Sequence, residues 1–199
     1  MTAEEHSPKN KKRDPREVQR NRYRPVRVKL LFIGEAPPAS GRFFYHKDSG
    51  LYCAFRTSFI KAFPVLENKD FLKKFQALGC YLIDLCPKPV DRLDRRKRIR
   101  VCKQSEFRLV QAIRRLRPEI IVSVVRSISS NVGRAQKRAK WTGKYLSLPY
   151  PGRWRRHQVK FDEALVHLLR SELDSVETDP KSPSERTKDM VRKNHFAIC

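Results

Sequence analysis

The chain has 199 residues, with 45 Lys and Arg against 21 Asp and Glu, a formal net charge of +24. That length suits one domain with tails, and the excess positive charge attracts polyanions and releases their counterions, which makes nucleic acid the expected partner. No apolar run approaches the ~20 residues a transmembrane helix needs, so no membrane partner is expected.

Residues 1–24 are dominated by Lys, Arg, Glu, Asn and Pro, too polar to offset ordering entropy, and read as a flexible basic arm. Residues 26–33 form a β-branched apolar run closed by Gly34, the pattern of a buried strand. Helices are expected over 54–63 and 70–78, and a second strand over 80–85 after the Gly79 break. A helix over 105–116 carries Phe107, Val110, Ile113 and Leu116 at helical spacing and stops before Pro118. A third strand over 119–125, a basic helix over 127–140, a fourth strand over 145–148 and an amphipathic helix over 161–173 follow. Residues 175–199 read as a polar tail.

Strands alternating with helices predict a single three-layer α/β/α domain over 25–174, built on a mainly parallel four-stranded sheet. Sites in such folds lie at the carboxyl ends of strands. That rule selects the loops 34–45, 84–90, 126–130 and 149–157.

The first loop reads G-E-A-P-P-A-S-G-R-F-F-Y from Gly34 to Tyr45. It sets one carboxylate, Glu35, after a buried strand, with Pro37 and Pro38 behind it. Glu35 is either a solvated member of a rigid turn or a carboxylate that positions or deprotonates water. Phe43 and Phe44 belong either to the core or to a wall that stacks on a planar base. In the 126–130 loop, Ser127, Ser129 and Ser130 either receive a phosphate on backbone N–H groups or cap the helix that follows.

The order of these loops resembles the uracil-DNA glycosylase superfamily, especially the branch whose first motif reads G-E-A-P-G. Y-L-I-D-L-C-P at 81–87 resembles that branch's segment ending in a base-reading Asn. L-R-P-E-I-I-V at 116–122 matches its next helix–strand junction, and L-S-L-P-Y-P-G-R at 146–153 stands in place of its His-Pro-Ser loop. The resemblance spans about residues 26–173. It implies a glycosylase-like fold and a monofunctional DNA glycosylase that flips a nucleotide and hydrolyses its glycosidic bond. It puts Glu35 beside the attacking water, Ala36 and Pro37 beside the base, and Phe44 or Phe43 on the base's face. It puts Arg153 and Trp154 where a side chain enters the gap left by the flipped base. Arg42, Ser127, Ser129, Arg155 and Arg156 are then candidates for phosphate contacts.

The departures bear on the substrate. Asp84 stands where the family has Asn, and an ionised carboxylate only accepts hydrogen bonds, which suits the exocyclic amine of cytosine better than uracil. The preferred expectation is a modified cytosine, as in related glycosylases of phage defence that remove bulky modified cytosines. The alternatives are a uracil-DNA glycosylase of base-excision repair and a non-catalytic nucleic-acid-binding protein on the same fold. Asp84 is also open to pairing with an Arg. Leu148 falls where the motif has its catalytic His, and His157 is the candidate substitute.

The N-terminus carries no apolar signal segment. Five cysteines, Cys53, Cys80, Cys86, Cys102 and Cys199, form an odd set that fits a reducing compartment. The expected setting is cytoplasmic, at the nucleoid if bacterial, and a monomer is expected. Cys86 and Cys102 resemble the downstream pair of the family's iron–sulfur branch, yet no Cys precedes Gly34. Four thiolates make a normal cluster, so neither metal nor other cofactor is expected.

Overall fold

The computed structural model describes residues 14–173. Four strands, β1 (Leu30–Gly34), β2 (Cys80–Asp84), β3 (Ile120–Ser123) and β4 (Lys144–Ser147), form one sheet in the order β2-β1-β3-β4. Every pairing is parallel, with Gly34 opposite Asp84 and Ile33 opposite Ser123. Among the described residues, six α-helices accompany it: α1 (Pro15–Arg22), α2 (Gly50–Ala62), α3 (Phe71–Ala77), α4 (Arg95–Leu116), α5 (Ser129–Ala139) and α6 (Arg155–Leu173). Helix α4 packs on α5 and α2 on α6. Right-handed crossovers set those pairs on opposite faces of the sheet, giving the expected α/β/α layering. No helix among the described residues is long and apolar enough to cross a membrane.

Residues of β1, β2 and β3 are buried throughout because helices cover both faces. Phe32 meets Phe55 of α2 edge to face at 4.9 Å and stacks on Phe75 of α3. The edge strand β2 is closed by a side chain. The buried Tyr45 hydroxyl donates to the Leu82 carbonyl at 3.0 Å and accepts from the Leu82 N–H at 2.8 Å, consuming edge groups that would otherwise template another strand.

Local chemistry sets the helix ends. Asp94 accepts from the Lys97 N–H to start α4, and Arg117 ends it in the left-handed region at φ 45° before Pro118. Ser49 and Asp70 cap α2 and α3 in the same way as Asp94 caps α4.

Three expectations are corrected here. The arm expected over 1–24 is, in its described part, helix α1, started by Asp14 and Pro15. Its docking is polar: Arg20 is 3 % exposed and its neighbour Gln19 donates to the Tyr45 carbonyl. The helix expected over 105–116 extends back to Arg95 through a basic stretch without an apolar stripe. The last helix begins at Arg155, so the loop expected over 149–157 is shorter. The tail 175–199 and residues 1–13 lie outside the described residues.

Candidate functional site

Chain order against strand order places the topological switch between β1 and β3, since the chain leaves β1 for β2 on one side and returns to β3 on the other. Crevices form where successive connections leave on opposite faces. A cavity of about 320 Å³ opens at that place, at the carboxyl ends of the strands. Its walls come from Gly34–Pro38 after β1, Phe43 and Phe44, Asp84 at the end of β2, and Val124 and Val125 after β3, with Arg98 and Tyr150 at the side. Glu35, Ala36, Pro37, Phe43, Phe44 and Asp84 are thus brought together as expected.

Backbone bonds fix the first loop. Leu85 and Cys86 N–H groups donate to the carbonyls of Gly34 and Glu35, both at 2.8 Å. Further along, Ala39 N–H donates to Asp91 and Phe43 N–H donates to Asp48 at 2.7 Å. These bonds brace the loop as a wall of the cavity.

Glu35 is not a lone carboxylate. Arg98 of α4 donates to it through Nε at 2.6 Å and through a second nitrogen to its other oxygen. The pair raises the Arg98 pKa above its ordinary value, the hydrogen bond to Glu35 being the main cause. A carboxylate held at both oxygens keeps lone pairs for a water but is fixed in orientation. Among the described residues, Arg98 is the only Lys or Arg lining the cavity.

Asp84 is 7 % exposed. Its Oδ2 accepts from Arg20 Nη2 at 2.7 Å, the arginine pairing that the sequence left open. Burial pushes its pKa up, and the charges of Arg20 and Arg108 pull against that. Arg20 also pairs with Glu17, which in turn holds Arg108, and its guanidinium lies 5.3 Å from the Phe43 ring centre. Among the described residues, the Arg20 Nε has no partner. Oδ1 faces Gly34, where an added Cβ would stand 2.8 Å from it. Phe43 and Phe44 are both core residues, 2 % and 3 % exposed. Phe44 is enclosed edge to face by Tyr45, Tyr52 and Phe55, so these rings offer the cavity a border rather than an open face.

Several expected residues lie elsewhere. His157 sits in the first turns of α6 and lines a neighbouring groove, not the cavity with Glu35 and Asp84. The loop before it does not fold back, because Trp154 O already accepts from His157 and Gln158 N–H groups as α6 starts. Leu148, in the place of the motif His, is buried core. Ser129 Oγ bonds Ser147 Oγ, which accepts from the buried Ser123. This hydroxyl chain anchors α5, and Ile128 rather than a serine occupies its N-cap. Ser127, Arg153 and Trp154 line the neighbouring groove. Arg155 faces the cleft between α2 and α6, while Arg42 and Arg156 are exposed and outside the cavity.

Cys86 and Cys102 Sγ atoms lie 3.6 Å apart, and Cys102 Sγ is 3.7 Å from Glu35 Oε1. Burial, with Cys86 and Glu35 nearby, pushes the Cys102 thiol up to about 12, which opposes thiolate chemistry at neutral pH. Cys80 is at the far end of β2 and Cys53 is exposed on α2. Among the described residues, no three His, Cys, Asp or Glu side chains are placed to hold a metal ion. A four-thiolate cluster does not fit these residues.

The sequence alone did not single out Arg98, Arg20 or Tyr150. Arg98 is four residues before the buried Cys102 and seven before the buried Ser105, a helical spacing that marks it as inward-facing. Arg20 follows the Asp14-Pro15 helix start. No known family model matches this chain, and no curated protein matches its sequence, so the functional reading rests on the cavity and its chemistry.

Proposed function

We propose that this chain is a monofunctional DNA glycosylase acting on a flipped pyrimidine, with a modified cytosine as the preferred base. The observation that carries the reading is that one cavity is lined by the carboxyl groups of both Glu35 and Asp84, a third, Asp91, being engaged by the Ala39 N–H. Glu35 and Asp84, at the ends of adjacent strands, line a braced pocket bordered by Phe43 and Phe44. Its volume of about 320 Å³ leaves room for a substituted base that has left the stack.

In this reaction the C1′–N1 bond breaks and its electron pair leaves with the base. Water oxygen bonds to C1′, giving an abasic deoxyribose. The water's proton passes through Glu35 to solvent or to the base. Glu35, oriented by Arg98, holds the water and stabilises the oxocarbenium-like centre. Asp84 Oδ1, with Oδ2 occupied by Arg20, accepts one hydrogen bond from the exocyclic amine. Arg98 is the cation available to the negative charge growing on the departing base. The base need not be cytosine for this chemistry, and uracil is the alternative.

Base release from uracil-containing and modified-cytosine DNA, followed by mass spectrometry, tests this. The parent protein is expected to liberate base and Glu35→Ala to lose that activity while still binding DNA. Intact binding without any released base from the parent would overturn the enzymatic reading. The second reading is a non-catalytic DNA-binding protein. The pairing of both Glu35 oxygens with Arg98 favours it, and it predicts that Glu35→Ala leaves DNA binding unchanged.

A further inference from the structure

Beside the cavity lies a second concavity of about 530 Å³. It runs between the turn after β3 and the start of α6. Val125 and Tyr150 line both spaces, so the two share a wall and are neighbours along any strand that crosses the carboxyl edge of the sheet.

The chemistry of the second space is distinct. Two aromatic side chains border it, Trp154 at 65 % and Tyr150 at 49 % exposure. Arg126, Arg153 and Lys160 supply three cations, and no carboxylate lines it among the described residues. Two exposed rings beside three cations, with no carboxylate among the described residues to neutralise them, leave both a π-face and positive charge open to a ligand. The same combination is what a base and its phosphates need: a π-face to stack on and charge for the backbone.

Trp154 is placed by the fold. Its carbonyl accepts the first hydrogen bonds of α6, and Gly152 O accepts from Gln158 Nε2 at 2.9 Å. Pro149 and Pro151 stiffen the chain on either side of Tyr150. The backbone that carries the ring is fixed in this way, so little main-chain ordering is left to be paid on binding.

We infer that this groove is a second nucleobase subsite, receiving the base next to the flipped one on Trp154, and that the preferred substrate is therefore single-stranded or locally unpaired DNA. The inference rests on the reading of the cavity as a base pocket. In an intact duplex only the flipped nucleotide leaves the stack, and its neighbour remains paired and unable to enter the groove. In a single strand both bases are free, and both subsites fill at once. Charge complementarity selects the occupant: a polyanion carrying planar rings meets every feature of the groove.

The experiment is equilibrium binding, by fluorescence anisotropy, of a labelled single-stranded oligonucleotide and of the matching duplex at one fixed salt concentration. Parent protein, Trp154→Ala and Trp154→Phe are compared. Trp154→Ala is expected to weaken single-strand binding about tenfold, within the range for loss of one base–aromatic stack, and to leave duplex binding within about twofold. Trp154→Phe should restore most of the loss, because a ring remains. The salt slope should not change, since no phosphate contact is removed. Equal weakening on both DNAs would make Trp154 a duplex wedge and overturn the inference, as would no weakening on either. Binding is read without base release, so the outcomes separate. A parent that prefers single strands through Trp154 but frees no base sinks the glycosylase reading alone. A parent that frees base with no such preference sinks the groove alone.

Discussion

Gly34 and Asp84 are cross-strand partners at the end of the sheet, and the absent Cβ of Gly34 leaves the space that Oδ1 of Asp84 occupies. A Cβ there would stand 2.8 Å from that oxygen, closer than real Cβ contacts come. Any larger residue at 34 would have to displace that carboxylate. The glycine lets a buried carboxyl sit beside the first loop, at the cavity wall, with one oxygen on Arg20 and the other against Gly34.

Gly34→Ala is therefore expected to push Asp84 off its place. Overpacking of this kind costs about 1–3 kcal/mol, readable as a lowered midpoint in chemical denaturation. Base release should fall further than the folded fraction does, because the displaced carboxyl no longer meets the base. Wild-type kinetics in a destabilised Gly34→Ala protein would show that Asp84 has no part in recognition.

Asp84→Asn addresses the choice of base. An amide both donates and accepts, so the variant should shift the ratio of released bases toward uracil, by about tenfold or more given how strongly unpaired polar groups discriminate. The exchange also removes one of the two carboxylates on the buried Arg20 guanidinium, which keeps Glu17, so the loss should stay below the about 3–5 kcal/mol of a fully unpaired buried charge. The ratio of uracil to cytosine released by one preparation is independent of the folded fraction and is the quantity to measure. An unchanged ratio would remove Asp84 from base selection.

What the sequence made legible follows from how each feature is stabilised. Strands β1, β2 and β3 are held by apolar burial, which leaves a run of Leu, Ile and Val bracketed by Gly34, Gly79 and Pro118, and so they were readable to within a few residues. Glu35 and Asp84 were readable because strand ends are where parallel sheets keep their sites. Helix α1 was not, because its one large aliphatic residue, Val18, is 43 % exposed and it docks through Arg20, whose partner is 64 residues away. A long-range ion pair has no periodicity. The same holds for Arg98, one of several basic residues over 92–100 and the one that turns inward onto Glu35. His157 misled for the opposite reason: it stands near the motif in sequence, but an early α6 start carries it to the far side of Tyr150.

Arg98→Met separates two roles for this side chain. If Arg98 meets the charge on the departing base, its loss should lower release by about 10²–10³-fold. The loss should be larger for cytosine, the poorer leaving group, than for uracil, and Arg98→Lys should recover part of it. If Arg98 only orients Glu35, every base should suffer the same factor. Single-turnover rates on a series of bases of graded leaving ability give the answer as a slope, which a general loss of folding cannot alter.

Acid stability should depend on Glu106, at the packed junction of α4 and α5. This side chain is 3 % exposed, and its Oε1 accepts from Asn131 Nδ2 at 2.9 Å and from Arg134 Nη2 at 2.6 Å. Burial alone would raise its pKa, but the hydrogen bonds from Arg134 and Asn131 outweigh that and hold it below the ordinary 4.5. A carboxylate with a depressed folded pKa contributes stability that is fully present above its unfolded pKa and is lost as pH falls through the folded value. The contribution should therefore be intact at neutral pH and decline below about pH 4.5. Glu106→Gln should lower stability at pH 7 by about 1–3 kcal/mol, the range for a buried charge-assisted hydrogen bond. The deficit should shrink as pH falls below that point, because the wild-type carboxylate is then protonated as well. Denaturation midpoints of the two proteins at pH 7 and in steps toward pH 3 measure it, and a constant gap across that range would mean that Glu106 acts through packing alone.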